Sequence, residues 1–284
     1  MPPDRPYRTR FAPSPTGLLH LGHAFSALTG WARAQEMGGT FLLRIEDIDT
    51  PRCTQAFRDA IFDDLHWLGL VWPTPVIEQS LRRMAYDRAL SGLIARGLVY
   101  PCRCTRTEIR AALSAPQEGA PAPTAPYPGT CRHRPPSDAG PKDGWRLNLD
   151  AALESLGDTT MVFFENGPLH PGWHNVTSLA LLRAHGDIIL ARRDIGISYA
   201  LAVVLDDAAQ GITEVVRGED LFDATPPQIL LQNLLELPTP TYWHHALIRD
   251  EFGKRLAKRD GGRALQAVRG EGLRPSDIIA QLGF

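Results

Sequence analysis

The chain has 284 residues, of which 43% are hydrophobic and 22% are charged, and its formal net charge is −2. That composition is typical of a globular protein with enough apolar residues to bury a sizeable core. It excludes a chain whose overall field attracts nucleic acid, so an RNA partner would have to meet a local basic surface.

The sequence contains no run of 18 or more apolar residues, which excludes a helix of the kind that spans a membrane. Its first residues also lack the apolar stretch of a secretory signal. We therefore expect a cytoplasmic protein, in which four cysteines favour metal binding over a disulfide framework.

The first hundred residues show helical patterns separated by a strand. The spacing of their apolar residues predicts helices over residues 20–37, 55–68 and 81–96. Glycines follow the first and the third of these segments, as is usual after a helix C-terminus. Residues 40–47, with the sequence TFLLRIED, are typical of a short buried strand that ends in charged residues.

The middle of the chain differs from what precedes it. Residues 114–126 are rich in proline and alanine, which indicates a surface loop inside an insertion that begins near Pro101. Apolar sequence then predicts strands over residues 188–190, 201–205 and 212–216 and a helix over residues 226–235. Strands that alternate with helices favour an α/β fold with a parallel sheet, split by an insertion over about residues 101–187.

Charged residues follow two of the predicted strands, at residues 44–47 and 217–220. Because parallel α/β sheets bind ligands at the carboxyl ends of their strands, these positions indicate an active site. The string RFAPSPTG (residues 10–17), followed by His20 and His23, is a further candidate. A helix that begins near His20 offers free main-chain N–H groups and its dipole to an anion, and both histidines can donate hydrogen bonds to phosphate.

Four segments together resemble the glutamyl branch of the class I aminoacyl-tRNA synthetases. They are RFAPSPTG with the following HLGH (residues 10–23), LRIEDIDTPR (43–52), YALAVVLDD (199–207) and VRGED (216–220). The first of them matches the HIGH region of that family. The resemblance implies an enzyme that activates L-glutamate with ATP, accompanied by Mg²⁺, and passes the glutamate to an RNA acceptor.

The resemblance also implies a fold, namely a Rossmann-like parallel sheet in a class I synthetase core with a small zinc-containing insertion and a short helical C-terminal part. Residues 1–100 and 188–245 would form the two halves of the catalytic core. Residues 101–187 would form an insertion of the connective or acceptor type with a zinc knuckle. Residues 246–284 would hold a loop like the family's KMSKS signature and a short helical segment.

Particular residues receive roles from the same resemblance. The implied ATP-binding residues are His20, Gly22, His23 and Lys258, and the two histidines and Lys258 are also implied in catalysis. The implied glutamate-binding residues are Arg10, Ser14, Glu46, Tyr199 and Arg217. Their chemistry fits, because arginines suit the two carboxylates of glutamate and a carboxylate suits its ammonium group.

The implied KMSKS loop departs from the family pattern. Residues 255–259 have the sequence RLAKR, so arginine and alanine replace the first lysine and the central serine. Lys258 matches the second lysine, which would stabilise negative charge as it moves onto the leaving pyrophosphate.

Three cysteines have the spacing of a zinc knuckle, Cys102, Cys104 and Cys131. Zn²⁺ usually binds four ligands in a tetrahedron, and the fourth could be His133, which is conventional, or Tyr127, which is unusual. The stretch YPGTCR (residues 127–132) resembles a shorter branch of the family in which tyrosine and cysteine complete the site, which favours Tyr127. Cys53 stands alone and is expected to be a packed thiol.

Few residues follow Lys258, whereas a full glutamyl enzyme carries a large anticodon-binding region there. The chain is therefore similar to the shorter branch, which attaches glutamate to queuosine at the wobble position of tRNA(Asp). We expect a monomer whose cleft admits the anticodon stem-loop of that tRNA. Candidate contacts to RNA phosphates are Arg82, Arg83, Arg103, Arg106, Arg132 and Arg134, although a solvated basic face explains them equally well.

Two other functions stay open from the sequence. One is a conventional glutamyl-tRNA synthetase that charges the 3′ end of a tRNA. The other is a catalytically retired paralogue that only binds RNA, which the altered residues 255–259 favour.

Overall fold

A computed structural model describes residues 5–105, 107–109, 127–248 and 263–284 of the protein. The strands in these ranges are β1 Arg8–Phe11, β2 Thr40–Ile45, β3 Ile77–Glu78, β4 Val99–Cys102, β5 Gly144–Leu147, β6 Val162–Glu165, β7 Gly172–Asn175, β8 Ile189–Arg192, β9 Gly196–Ile197, β10 Glu214–Gly218 and β11 Thr241–His245.

The helices described are α1 Leu21–Glu36, α2 Gln55–Trp67, α3 Arg83–Ala95, α4 Leu149–Leu156, α5 Ser178–Ala184, α6 Tyr199–Ala209, α7 Thr225–Leu234, α8 Leu265–Gly270 and α9 Pro275–Gln281. Short 3₁₀ turns occupy Gln79–Arg82, Pro136–Asp138 and Glu219–Ala224. Among the described residues, no helix is both long enough and apolar enough to cross a membrane.

Parallel strands form the layer on which the rest of the molecule is arranged. One group has the order β1-β2-β3, and the other has the order β10-β11-β6-β7, in which only β7 runs antiparallel to its neighbour. The two groups meet side by side, because the Thr213 N–H donates to the Arg8 carbonyl at 2.9 Å and the Arg10 guanidinium donates to the Val216 carbonyl at 3.3 Å. The α/β fold with a parallel sheet predicted from the sequence is thus confirmed.

A second sheet, with the order β4-β5-β8-β9, is antiparallel throughout. The strand predicted over residues 188–190 is β8, and it lies in this second sheet instead of in the parallel layer. Conversely, β6 and β7 belong to residues predicted as insertion, yet they extend the parallel layer next to β11. The chain therefore crosses between the two sheets more often than the sequence pattern indicates.

The strand predicted over residues 201–205 is wrong, since these residues lie within helix α6. Leu201, Ala202, Val203 and Val204 are all buried, because α6 packs against α3 and α7 and against β8. A helix that is covered on several sides is apolar all round, so its sequence lacks the periodicity that separates a helix from a buried strand. The helices predicted over residues 20–37, 55–68, 81–96 and 226–235 correspond to α1, α2, α3 and α7.

Gly39 allows the turn between α1 and β2 to pass close to the segment that precedes β1. The Thr40 N–H donates to the Tyr7 carbonyl at 2.9 Å, and a Cβ placed on Gly39 would lie only 2.4 Å from that carbonyl oxygen. The same Cβ would also lie 2.6 Å from a ring carbon and 2.7 Å from the Cβ of Tyr7, so there is no room for a side chain.

We predict that Gly39→Ala lowers the free energy of unfolding by about 1–3 kcal/mol, because overpacking against main chain cannot be relieved by a rotamer change. The matched control is Gly92→Ala in the exposed middle of α3, where an added Cβ meets nothing within 4 Å. There alanine should raise the stability by about 0.5–1 kcal/mol through helix propensity. Urea unfolding of both variants measures the difference, and equal effects would contradict the tight turn.

Candidate active site

A cleft opens where the N-terminus of α1 faces the carboxyl ends of β10 and β11. Its cavity of about 150 Å³ is lined by the predicted residues His20, Gly22 and His23 and, across from them, by Gly218, Asp220, His245, Leu247 and Ile248. Carboxyl ends of parallel strands and the first turn of a helix therefore meet at one place, which is where this class of sheet binds its ligands. The positive end of the α1 dipole suits an anion such as a phosphate.

The two predicted histidines cap the first turn of α1. His20 Nδ1 accepts the Gly22 N–H at 3.1 Å, and His23 Nδ1 accepts the His20 N–H at 3.2 Å. These two main-chain groups are therefore not free for an anion, in contrast to what the sequence led us to expect. Since Nδ1 of each ring is an acceptor, each ring is neutral and carries its hydrogen on Nε2, the form that can donate to a phosphate oxygen.

Lys258 lies outside the described residues, but the chain on both sides of residues 249–262 is at the cleft. Ile248 lines the cavity, and Ala264 forms a bridge with His20. The Leu265 N–H also donates to the Leu19 carbonyl at 2.9 Å. The described residues that flank 249–262 therefore lie at the cleft that His20 lines.

A buried network of charges lies at the carboxyl ends of β1 and β2. Arg10 from β1 binds both oxygens of Asp207, at 2.9 and 3.3 Å. Arg44 from β2 binds Asp207 at 2.6 Å and Glu46 at 3.0 Å. Arg44 has no exposed surface, and Asp207 belongs to α6, so one carboxylate joins elements from the first and second halves of the chain.

The ionisation of these groups reflects their surroundings. Burial opposes the charged form of Asp207, but the charges of Arg10 and Arg44 outweigh burial and hold the pKa of Asp207 below its ordinary value. For Glu46 the balance is reversed, because burial raises its pKa more than Arg44 lowers it. An added cation next to Glu46, such as the ammonium group of an amino acid, would favour the charged carboxylate.

Arg217, at the carboxyl end of β10, is surrounded by neutral acceptors. Its guanidinium donates to His244 Nε2 at 3.0 Å, to Gln228 Oε1 at 2.8 Å and to Thr225 Oγ1 at 2.7 Å. Only 4% of the residue is exposed. A buried guanidinium whose geometry is fixed on several sides can receive a carboxylate in one orientation.

Tyr199, the first residue of α6, joins this group. The charges of Glu46, Arg217 and Arg10 all act on its hydroxyl, and burial together with Glu46 raises its pKa. Ser14 is exposed, in the loop after β1, and its neighbour Pro13 accepts the Glu46 N–H at 3.0 Å. The structure thus brings Arg10, Glu46, Tyr199 and Arg217 together and leaves Ser14 at the rim beside Glu46.

The three predicted cysteine ligands also converge. The sulfur atoms of Cys102, Cys104 and Cys131 lie within 4.8 Å of one another. The Tyr127 hydroxyl is 3.4 Å from both Cys102 Sγ and Cys104 Sγ, whereas His133 is exposed and is outside the cluster that the described residues form. The three thiols are therefore close enough together to bind one metal ion, and the Tyr127 hydroxyl lies beside two of them. Cys53 is half-buried and remote in sequence from these residues.

Three of the six arginines considered as RNA contacts form ion pairs with carboxylates. Arg82 binds Asp206 at 2.6 Å, Arg134 binds Asp143 at 2.9 Å, and Arg132 binds both Asp187 and Asp150. Arg83 and Arg103 are exposed, and Arg106 lies outside the described residues. The predicted basic surface is therefore reduced, since three of its members hold the fold together.

Sequence reasoning did not single out Asp207, Glu165 and His244, and it placed Arg44 at the predicted active site without giving it a role. Asp207 could not be assigned to the site because residues 201–205 are predicted as a strand. That prediction does not show which way the aspartates after it face. The signal for Asp207 was the pair of adjacent aspartates at the end of an apolar run. No sequence pattern pointed to Glu165, because it lies in the predicted insertion, far along the chain from His244, which it contacts.

Comparison with known proteins places this geometry in context. The sequence matches the family model for the catalytic domain of class I tRNA synthetases (E and Q) over residues 6–283. A glutamyl-Q tRNA(Asp) synthetase from Rhodobacter capsulatus is 54% identical over 283 residues, which cover 97% of this chain and 99% of that protein. A protein of the same name from Burkholderia cenocepacia is 44% identical over 263 residues, which cover 92% of this chain and 83% of that protein.

Solved structures show the same fold. A glutamate tRNA ligase from Elizabethkingia meningosepticum, in complex with its amino acid, superposes with a TM-score of 0.78 at 27% identity and is matched over 99% of this chain. This chain spans 61% of the length of that ligase. Mycobacterium tuberculosis methionyl-tRNA synthetase, matched over 97% of this chain and 63% of its own, has a TM-score of 0.62 at 12% identity, a likeness of fold alone.

We predict that Asp207→Asn destabilises the protein by about 3–5 kcal/mol at neutral pH, because it leaves Arg10 and Arg44 buried with too little negative charge. Since the folded pKa of Asp207 is held below its ordinary value, the stabilisation is present at neutral pH and is lost as the pH falls towards that pKa. Denaturant unfolding at several pH values should therefore show the gap between wild type and variant closing in acid. The control is Asp59→Asn on the exposed face of α2, and a loss no larger than in this control would refute the role of Asp207.

Proposed function

Because this chain belongs to the family of class I tRNA synthetases of the E and Q type, we propose that it is a ligase that activates L-glutamate with ATP. Glutamyl-adenylate is the intermediate, and the glutamate is then transferred to queuosine at the wobble position of tRNA(Asp). The observation that carries the choice of acceptor is the 54% identity to a glutamyl-Q tRNA(Asp) synthetase along 99% of that relative. The glutamate tRNA ligase of known structure is less similar, at 27% identity.

In the proposed pocket, glutamate meets charges that are already in place. Arg10 and Arg217 would face the carboxylates of the substrate, and Glu46 would face its ammonium group. Tyr199 would close the pocket through its hydroxyl, with Ser14 adding a contact at the rim. The support for these roles is that the first four of these residues share one buried region at the carboxyl ends of the strands.

Activation requires little covalent help from the protein. An oxygen of the glutamate α-carboxylate attacks the α-phosphorus of ATP, the bond from that phosphorus to the bridging oxygen breaks, and pyrophosphate leaves. Positioning and charge stabilisation therefore supply the rate. A hydroxyl of the acceptor then attacks the activated carbonyl and AMP leaves, with the hydroxyl proton passing to solvent or to the phosphate.

The α1 end of the cleft would bind the nucleotide. Gly22 lets the nucleotide approach the main chain, and His20 and His23 would donate to phosphate oxygens from Nε2. Lys258 would stabilise the leaving pyrophosphate, a role supported by the position of Ile248 and Ala264 beside the cleft. Class I synthetases use ATP with Mg²⁺, which when bound neutralises charge on the phosphates.

We also propose that Zn²⁺ binds Cys102, Cys104, Cys131 and Tyr127. The metal would fix the second sheet to the residues around Cys131, a structural role that four protein ligands suit. In this arrangement residues 101–187 carry the zinc site and also contribute β6 and β7 to the parallel layer, between core halves at residues 1–100 and 188–245. Residues 246–284 carry the loop with Lys258 and the short C-terminal helices.

The acceptor is tested by incubating the protein with ATP and labelled glutamate. We expect label on tRNA(Asp) that contains queuosine and none on the same tRNA lacking that base, because the base supplies the attacking hydroxyl. Glutamate-dependent exchange of pyrophosphate with ATP, measured first, checks that activation occurs. Label on tRNA(Glu) instead would identify a conventional glutamyl-tRNA synthetase, and no exchange at all would identify a retired RNA-binding protein.

The metal proposal predicts about one zinc per chain by elemental analysis of the purified protein. Tyr127→Phe and Cys131→Ser should lower the zinc content, because each removes a ligand atom. His133→Ala is the matched control, since His133 is a potential ligand that lies outside the cluster. Loss of zinc in His133→Ala with full zinc in Tyr127→Phe would replace Tyr127 by His133 as the fourth ligand.

A further inference from the structure

Arg217 differs from the other arginines of the site in how its charge is balanced. Arg10 and Arg44 each form ion pairs with buried carboxylates. Among the described residues, Arg217 has no carboxylate within ion-pair distance, and its partners are an imidazole, an amide and a hydroxyl. A buried cation with neutral partners is costly on its own, so it is suited to an anion that arrives with the substrate.

The hydrogen bonds of His244 define a single form of its ring. Its Nε2 accepts from Arg217 Nε at 3.0 Å, since a guanidinium only donates. Its Nδ1 is 2.6 Å from Glu165 Oε2. Because an ionised carboxylate only accepts, the ring hydrogen must be on Nδ1, and the ring is neutral.

Glu165 is itself held in place at the end of β6. Its Oε1 accepts the main-chain N–H groups of His244 and Gly167, both at 2.8 Å, and only 1% of the residue is exposed. Burial opposes its charged form, but the hydrogen bonds from the ring and main chain of His244 and from the main chain of Gly167 outweigh burial and hold the pKa of Glu165 below its ordinary value. It therefore stays an acceptor at neutral pH.

Aromatic neighbours fix the plane of the His244 ring. Phe222 packs edge-on against it, with ring centroids 5.1 Å apart, and Tyr242 lies nearly parallel at 5.9 Å. The ring therefore has two hydrogen-bond partners and two packing partners, and His244 has no exposed surface.

We propose that Glu165 and His244 are positioning residues for glutamate, which act by fixing the guanidinium of Arg217 to receive a substrate carboxylate. The inference rests on the proposed function, through the role given to Arg217. Glu165 selects the ring form, and the ring aligns the guanidinium without forming an ion pair that would compete with the substrate. Outer partners of this kind commonly orient the group that contacts a ligand.

The arrangement is sensitive to acid. Among the described residues, the charged and titratable groups that act on His244 are Glu165 from β6, Arg217 from β10 and His170 from the loop after β6, and the titratable Tyr242 from β11 packs against its ring. Burial, aided by Arg217 and His170, lowers the pKa of His244 more than Glu165 raises it. The ring thus stays neutral as the pH falls through the ordinary histidine pKa, and only below that does a proton on Nε2 confront Arg217 and release it.

The direct test is Glu165→Gln in the full chain, with glutamate-dependent pyrophosphate exchange as the assay. The amide oxygen would keep the two main-chain N–H groups, which places the amide NH₂ against His244 Nδ1. The ring would then have to carry its hydrogen on Nε2, facing Arg217, as when the aspartate of a serine-protease triad becomes asparagine. We expect KM for glutamate to rise about 10- to 100-fold, while KM for ATP changes little.

His244→Gln is the conservative variant, because its amide can accept from Arg217 and donate to Glu165 but cannot be protonated near neutral pH. It should bind glutamate better than Glu165→Gln does. For the wild type, KM for glutamate should stay constant as the pH falls to the ordinary histidine pKa of about 6.5 and should rise only below it, whereas for His244→Gln it should stay flat throughout. Glu214→Gln is the control, since Glu214 is a buried carboxylate at the opposite end of β10 that binds Tyr7 and Arg33.

Nitrogen NMR of the His244 ring in the wild type gives a readout that needs no variant and no catalysis. A hydrogen on Nδ1 supports the inference, and a hydrogen on Nε2 at neutral pH overturns it. With exchange present, an unchanged KM for glutamate in Glu165→Gln, or an equal rise in Glu214→Gln, also overturns it. Absence of glutamate-dependent exchange in the wild type would instead reject the proposed function.

Discussion

The rest of the site depends on the ion pairs that the Asp207 carboxylate forms with Arg10 and Arg44. Asp207 lies in α6 but binds arginines from β1 and β2, so it fastens the second half of the chain to the first at the place where ligands would bind. Charges inside a protein are costly unless they are paired, and here two guanidinium groups share Asp207 with Glu46 as the additional anion. The charges of Arg10 and Arg44 are therefore nearly balanced before any substrate arrives, in contrast to that of Arg217.

Three arginines of the site have different roles. Arg44 is fully buried and forms part of the support, whereas Arg10 is held by Asp207 at the wall of the pocket. Arg217 has neutral partners and therefore keeps more of its charge for a ligand. A dianionic amino acid with one ammonium group matches this arrangement of cations around Glu46, which is why glutamate fits the proposed pocket better than a neutral amino acid would.

Much of the fold and of the site could be read from local patterns, and the failures have physical causes. Helices α1, α2 and α3 are amphipathic and end at glycines or short turns, so their periodicity located them. Helix α6 is buried on several sides and lost that signal. The motif residues His20, Glu46, Tyr199 and Arg217 were found because they lie in short recognisable strings. Glu165 and His244 act through a contact between residues 79 positions apart, which no local pattern can report.

The position of β6 limits how far the chain can be shortened between the two core halves. Because β6 pairs with β11 in the parallel layer, the sequence between the two core halves does not behave as a detachable module. Deleting all of it to obtain a smaller enzyme would leave β11 unpaired on the side of β6. It would also remove Glu165, the carboxylate that fixes the ring form of His244. A shortened enzyme that keeps its activity would therefore have to retain β6.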